Sequence, residues 1–424
     1  MVVMEGIVII NNAQTQAGKI LLELECERIV NQEPFITNLI AIGGKPYYVG
    51  GFVRDYLMGR PNKDIDIIVE GLNIEQIRKS LTYFGKVDVV GESFAVVKFK
   101  SSDTGIEYDI AAPRIDKKVA EGHKGFEVVS GSEVTLEEDL LRRDFRINSI
   151  AVDIQTGKIV DPFNGIADIE KRRITMTNPQ AFLDDPLRIL RAVQFSIRFD
   201  FSITDGTFQL MREHMKLIKE IPGERIHEEF VKIAMKNGSA IKTYQLLRQL
   251  NFHQYFNSSM QWVINSVQDL KIGRLKTGIY EYNTMGEFFT IICGCHSKAP
   301  EFYQEVLKGE TSTYKQMKAI LFYKKNRFEH PGILASKMVK ITNDSFSFTK
   351  NVVPDDEVRR YLHDMRDEIL PAYVKDLKIN GNDAIEAGYE GKRIGDILQR
   401  LYEGVIMGWF PNEREKLLEL LKLK

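Results

Sequence analysis

Residues 49–71 read VGGFVRDYLMGRPNKDIDIIVEG. Asp64 and Asp66 stand two apart in a run of Ile and Val. Side chains i and i+2 point the same way along a strand, so these two carboxylates share a face. Such a pair repels itself unless a cation lies between, and Mg²⁺ takes hard oxygen ligands of this kind. Upstream, Gly50-Gly51 opens a helix expected over 51–58, whose free N–H groups attract phosphate. Arg54 and Asp55 follow on that helix. The combination predicts metal-dependent chemistry at an α-phosphate. One ion would activate an attacking hydroxyl and another would hold the triphosphate and the leaving pyrophosphate. The plain alternative is an aspartate pair at the start of an ordinary strand.

Further candidates lie downstream. Glu107 and Asp109 are two apart on a later strand, and either could add a third carboxylate; Asp109, just before AAPR, is the one carried forward. In EEDLLRRDFRINSIAVD (137–153), Arg142 and Arg143 are guanidinium forks suited to phosphate. Asp144 and Asn148 could read ribose hydroxyls. In DDPLRILRAVQF (184–195), Asp185 and Arg188 fall at i and i+3 of an expected helix, with Arg191 following. They could present an acceptor and donors to base edges, or simply pair with each other. Glu224 and Arg225 start a helix with a structural, bracing role. Lys378, Lys392 and Arg393 could contact RNA phosphates near a helix start at Ile394, or belong to a solvated face. Cys293-x-Cys295-His296 lacks a second ligand pair and is read as core rather than zinc. His123 lies in a glycine-bearing stretch and could touch substrate.

These residues need a frame. Helix is expected over 15–40, strand over 47–49, helix over 52–58, strand over 64–69 and helix over 74–84. Strands follow over 86–90, 94–99 and 106–111, then a polar loop over 113–135. A helical turn over 136–142 and strands over 147–153 and 158–160 close an α/β region. Beyond Pro162 the pattern becomes helical, with segments over 186–198, 205–220, 223–236 and 239–250 and a mainly helical remainder. The 424 residues suffice for two to four domains. A formal net charge of −1 means that any basic surface is local. Three cysteines do not make a disulfide scaffold and suit a reducing compartment. No signal peptide or membrane span is read, so a cytoplasmic protein is expected.

Together these blocks resemble the class II tRNA nucleotidyltransferase (CCA-adding enzyme) and bacterial poly(A) polymerase family, densely over 45–235 and loosely over 376–418. The resemblance implies an α+β chain: a nucleotidyltransferase head with a mixed β-sheet (1–160), then an elongated all-helical neck (161–240), body (241–370) and tail (371–424). It implies Asp64 and Asp66 as catalytic ligands of Mg²⁺, matched with Gly50, Gly51, Arg54 and Asp55. It places Arg143, Asp144 and Asn148 at the triphosphate and ribose. DPFNG (161–165) links head and neck. Asp185 and Arg188, with Arg191, serve as the template for CTP or ATP, and Glu224 and Arg225 fall in a neck-stabilising helix. The tail would bind tRNA, with no membrane partner. The implied activity is CCA addition to tRNA; poly(A) addition and CC-only or A-only addition share the same head. An inactive RNA-binding relict is argued against by the intact Asp64-x-Asp66.

The sequence also departs from the pattern. Arg146 stands where the second block has threonine, Asp184 where the fourth has glutamate, and Gln194 where an arginine precedes phenylalanine. The stretch 114–135, with GHKGF at 122–126, resembles the flexible loop that helps relatives switch from CTP to ATP, which favours full CCA addition. No HD phosphohydrolase signature is present, so that activity is not expected.

Overall fold

The computed structural model describes residues 2–60, 63–89, 96–118, 126–236, 238–255, 285–293, 299–326, 329–342 and 356–423. The chain divides into two compact units, Met1–Ile221 and Pro222–Lys424.

The first unit opens with α1 (Val2–Gln32) and α2 (Pro34–Ala41). One helix was expected over 15–40; Pro34 splits it, because proline suits a first helical turn but not an interior. Glu33 serves as N-cap of α2. Thr15, Gly18, Leu22, Cys26, Ile29 and Glu33 form the buried stripe, at the three-and-four spacing of a packed helix face. Next come β1 (Lys45–Val49), α3 (Gly51–Leu57), β2 (Ile65–Glu70) and α4 (Ile74–Leu81). Gly18 lets α1 lie hard against α3: a Cβ there would come within 2.7 Å of Leu57 Cα.

Strands β3 (Gly85–Val89), β4 (Val96–Ser101) and β5 (Glu107–Ala111) follow, then β6 (Arg114–Lys118) and β7 (Phe126–Ser130). The last two pair antiparallel, Arg114 opposite Ser130. The expected loop over 113–135 is thus a strand pair on both flanks, while 119–125, with His123, lies outside the described residues. Helix α5 (Leu136–Leu141) is closed at its start by a Thr135–Glu138 capping box. Strands β8 (Ala151–Asp153) and β9 (Ile159–Val160) complete the sheet. Its order is β3-β4-β5-β2-β1-β8-β9. The β2–β5 pair is parallel and β1–β2 antiparallel, so the sheet is mixed, as expected. The strand expected over 147–153 begins only at Ala151, because Arg146–Asn148 form a 3₁₀ turn.

After the sheet come α6 (Gly165–Glu170), β10 (Arg173–Ile174), α7 (Ala181–Asp184), α8 (Leu187–Phe199), β11 (Ser202–Ile203) and α9 (Asp205–His214). The two-residue parallel ladder β10–β11 interrupts an otherwise helical region.

The second unit is helical throughout its described residues. It holds α10 (Gly223–Met235), α11 (Ala240–Gln249), α12 (Met285–Ile292), α13 (Ala299–Glu305), α14 (Thr311–Asn326), α15 (Pro331–Thr342) and α16 (Asp356–Arg366). Helices α17 (Gly381–Glu386), α18 (Lys392–Ile406) and α19 (Arg414–Lys422) end the chain. Leu334, Met338, Leu362, Tyr402, Val405 and Leu417 share one of its cores. No described helix is long and apolar enough to cross a membrane.

Candidate active site

Strand β2 starts at Ile65, so Asp64 lies just before it and Asp66 is its second residue. Asp66 is in register with Asp109 on the parallel neighbour β5, and Asp109 with Lys98 on β4. Register partners project to the same face, which brings Asp66, Asp109 and Lys98 into one row across the sheet. Lys98 Nζ lies 3.4 Å from Asp109 Oδ1. Glu107, two residues before Asp109, pairs with Lys100 at 3.1 Å and is well exposed. Ile68 continues the Asp66 face and packs with Tyr47 and Val49 against Leu136 and Leu140. Helix α5 thereby packs on the part of that face beyond Asp66.

Gly50 caps α3 with φ +67° and ψ −129°. A side chain is strained in that region of the backbone. A Cβ on Gly50 would stand 2.6 Å from Arg143 Nη1 and 3.9 Å from Asp66 Oδ2. The backbone therefore comes down onto the carboxylate and the guanidinium together. Gly50→Ala is expected to lower activity at least tenfold, with KM for nucleotide rising; unchanged kinetics would show that the approach is not needed.

Burial pushes the Asp66 carboxyl up to about 6. Arg143 opposes that rise, while Asp109 and Asp64 add to it. This is a carboxylate short of positive charge. Among the described residues, no three His, Cys, Asp or Glu side chains close into a ready-made metal cage. That donor set still fits Mg²⁺, which commonly takes one or two carboxylates and completes its shell with water and substrate phosphate oxygens.

Arg143 owes its place to Asp139, a fully buried residue of α5. Asp139 Oδ2 accepts from Arg143 Nη2 at 3.0 Å and Nε at 3.2 Å. Its Oδ1 accepts from Arg142 Nη2 at 2.5 Å and Nε at 3.0 Å. Arg142 Nε also donates to Arg114 O at 2.8 Å. Arg142 is thus turned toward the β6 strand. Sequence reasoning passed over Asp139, although its spacing to Arg142 and Arg143, i+3 and i+4, was readable as a helical ion-pair pattern.

Arg54, Asp144 and Asn148, expected at the nucleotide, are buried. Arg54 donates to Asp55 Oδ1 (2.7 Å) and Asn148 Oδ1 (2.5 Å). Asn148 Nδ2 donates to Asp144 Oδ1 at 2.8 Å. Asp144 Oδ2 accepts from Arg191 Nε at 2.8 Å. Arg54, Asp55, Asn148, Asp144 and Arg191 thus form one chain of contacts. Asp185 precedes α8 in extended conformation, so it does not share a helical face with Arg188 as expected. Its Oδ1 accepts from Leu187 N at 3.2 Å, and Arg188 Nη1 donates to Ala181 O at 3.4 Å. Both are half-buried beside each other at the helix start.

In the second unit, Lys378, Lys392 and Arg393 are all exposed. The helix start expected at Ile394 falls instead at Lys392, after Gly391 with φ +54°. Cys293 is buried, which suits core, while Cys295 and His296 lie outside the described residues.

Residues 46–175 match the family model described as the poly(A) polymerase head domain. Residues 200–262 match the model for a probable RNA- and SrmB-binding site of polymerase A. Among curated proteins, the chain is similar to the multifunctional CCA protein of Nitrosomonas eutropha, 39% identical over 208 residues, covering 48% of this chain and 47% of that one. It is also 42% identical over 193 residues to a CCA-adding enzyme of Francisella tularensis subsp. novicida, covering 44% and 49%. The chain spans about half the length of these relatives. Its fold is that of the Bacillus stearothermophilus CCA-adding enzyme solved in complex with CTP, at TM-score 0.67 and 24% identity over 92% of this chain and 95% of that one. The Thermotoga maritima CCA-adding enzyme complexed with tRNA-CCA matches at TM-score 0.59 and 22% identity, over 99% and 97%. The head expected from the sequence and the helical region after it agree with these findings.

Proposed function

We propose that the protein is a template-independent nucleotidyltransferase that adds CCA to the 3′ end of tRNA from CTP and ATP, releasing pyrophosphate. The observation that carries this is the meeting of Asp66, its register partner Asp109, the Gly50 backbone and Arg143 over the central strands of the sheet. Relatives named for CCA addition support the choice of reaction.

In this reading the tRNA 3′-hydroxyl attacks the α-phosphate, and the bond to pyrophosphate breaks. Asp64 and Asp66 would hold divalent ions, Mg²⁺ by the hardness of the donors, which lower the hydroxyl's pKa and offset charge on the triphosphate. Asp109 shapes the same carboxylate row, and Gly50 and Gly51 let the phosphates approach the backbone. Arg143, fixed by Asp139, faces the developing negative charge. Asp185 and Arg188 offer an acceptor and donors to the base edge. A wrong base then leaves buried groups unpaired, which is how hydrogen bonding discriminates. The division into head 1–160, neck 161–240, body 241–370 and tail 371–424 accompanies this reading. Lys378, Lys392 and Arg393 in the tail would contact RNA phosphate. The proposed setting is the cytoplasm.

The test is incorporation on three transcripts, each with Mg²⁺ and CTP, ATP or both: tRNA lacking CCA, tRNA ending in CC, and an unstructured RNA. The expected products are CCA on the first, one A on the second and little on the third. Long A tails on all three would make the protein a poly(A) polymerase. A stop at CC, or addition of A alone, would make it one half of a two-enzyme system.

A further inference from the structure

The row that carries Asp66 and Asp109 runs on across the sheet. On β4 it continues as Lys98, and on β3 as Asp88, the register partner of Lys98. Two residues along β4, Lys100 lies on the same face, between Glu107 on β5 and Lys86 on β3. The alternate residues Val97, Phe99 and Ser101 are buried, so the opposite face of β4 is packed while this one is open. Each lysine holds one carboxylate: Lys86 with Asp88 at 2.9 Å, Lys98 with Asp109 at 3.4 Å and Lys100 with Glu107 at 3.1 Å. The Lys98 side chain is 56% exposed and that of Asp109 44%. Exposed pairs of this kind contribute little to stability, so another anion readily takes the place of the carboxylate. They leave a set of ammonium groups beside the carboxylates of the site.

The strand order gives this wing of the sheet a direction. From β2 the order runs one way to β1, which leads into Gly50 beside Arg143, and the other way to β5 and β4. Gly50 and Arg143 are the groups proposed to take the triphosphate, on the β1 side of Asp66. In phosphoryl transfer the attacking and leaving oxygens stand roughly in line through the phosphorus. Pyrophosphate leaving toward β1 therefore requires the hydroxyl to arrive from the β5 side, over Asp109. The phosphate that joins this terminal nucleotide to the one before it then lies one sugar further back, toward β4. We propose that Lys98 contacts that last phosphate of the RNA and so sets the 3′-hydroxyl above the Asp66–Asp109 pair. A lysine suits the task, because its flexible four-carbon stem carries a point charge that can turn from Asp109 to a phosphate. A phosphate contact positions the strand without reading a base. An enzyme that extends successive 3′ ends differing in their last base needs a contact of that kind.

This inference rests on the nucleotidyltransferase reading. Its test is KM for RNA in Lys98→Ala and Lys98→Arg, on a tRNA lacking CCA whose last phosphodiester is either native or a neutral methylphosphonate. Lys98→Ala on native RNA, and the methylphosphonate with the wild-type protein, should each raise KM for RNA about tenfold, the loss of one charge-assisted contact. Combined, they should cost no more than about twofold beyond either alone, because both remove the same contact. Lys98→Arg keeps the charge and should stay within about threefold of wild type on native RNA. In Lys98→Ala the fall of log kcat/KM with log salt should be shallower by about 0.7 in slope, one phosphate contact on a single strand. Effects that multiply, to about a hundredfold in the combination, overturn the proposal by placing the two changes at separate contacts. Wild-type KM for RNA after either change alone also overturns it, as does a rise confined to KM for CTP. A wild-type protein that extends no native RNA defeats the underlying reading before any variant is compared.

Discussion

Asp66→Ala should lower nucleotide incorporation by about 10³-fold or more, the loss expected when several kcal/mol of charge stabilisation at the reacting phosphate disappear. Binding of tRNA in a gel-shift assay should stay at the wild-type level, because the proposed RNA contacts are made by lysine and arginine side chains and not by Asp66. The isosteric Asp66→Asn separates this from damage to the fold. Burial holds the carboxyl at about 6, with Arg143 only partly offsetting it. Replacing it by an amide removes an under-compensated charge, so the thermal midpoint in EDTA should hold steady or rise. Adding Mg²⁺ with CTP should raise the wild-type midpoint by ligand linkage and leave that of Asp66→Asn where it was. Equal turnover in the variant, or an equal response to Mg²⁺, would remove Asp66 from the metal site.

The second large effect is expected at Asp139. Asp139→Ala leaves Arg142 and Arg143 without the carboxylate that orients both, and breaking such a buried pair costs about 3–5 kcal/mol. Activity should fall with stability, since Arg143 loses its aim at the Gly50–Asp66 corner. The pH dependence has a definite sign. Burial alone would raise the Asp139 carboxyl, but Arg143 and Arg142 outweigh it and hold it below the ordinary value. Its contribution to stability is therefore present above the unfolded carboxyl range near about 4 and is lost as pH falls through the depressed folded value. Thermal midpoints measured from pH 7 down to 3 should fall more steeply for wild type than for Asp139→Asn. Parallel curves would show that this carboxylate carries none of the acid sensitivity.

Legibility in the sequence followed locality. The sequence from Gly50 to Asp66 was readable because a short helix and a strand form from neighbouring residues and bring their own turn chemistry. Asp139 was missed because Arg142 and Arg143 were read for what they offer a phosphate, not for what must hold them. The β6–β7 pair was missed because the charged residues 116–118 and the glycines beyond them suggested a loop. The apolar run 147–153 suggested a longer strand, but Asn148 is held in a 3₁₀ turn by Arg54, 94 residues earlier. No local signal carries such a contact. Burial of Arg54, Asp144 and Asn148 was invisible for the same reason: their residue types fit a ligand site and a charge lock equally well.

Glu33, at the junction of α1 and α2, bears on the order in which the head can be completed. Its carboxylate is buried and accepts from Ser101 Oγ at 2.6 Å, Tyr108 Oη at 2.7 Å and Thr104 Oγ1. Those donors lie 68 to 75 residues further along the chain. During synthesis, Glu33 emerges with no protein partner and stays hydrated until β4 and β5 have been made. Contacts across such separations are slow to form, because the loop between them must close first. The junction of α1 and α2 is thus sealed only after strands much further along the chain are in place, and strand β2, which carries Asp66, sits inside the interval that has to wait.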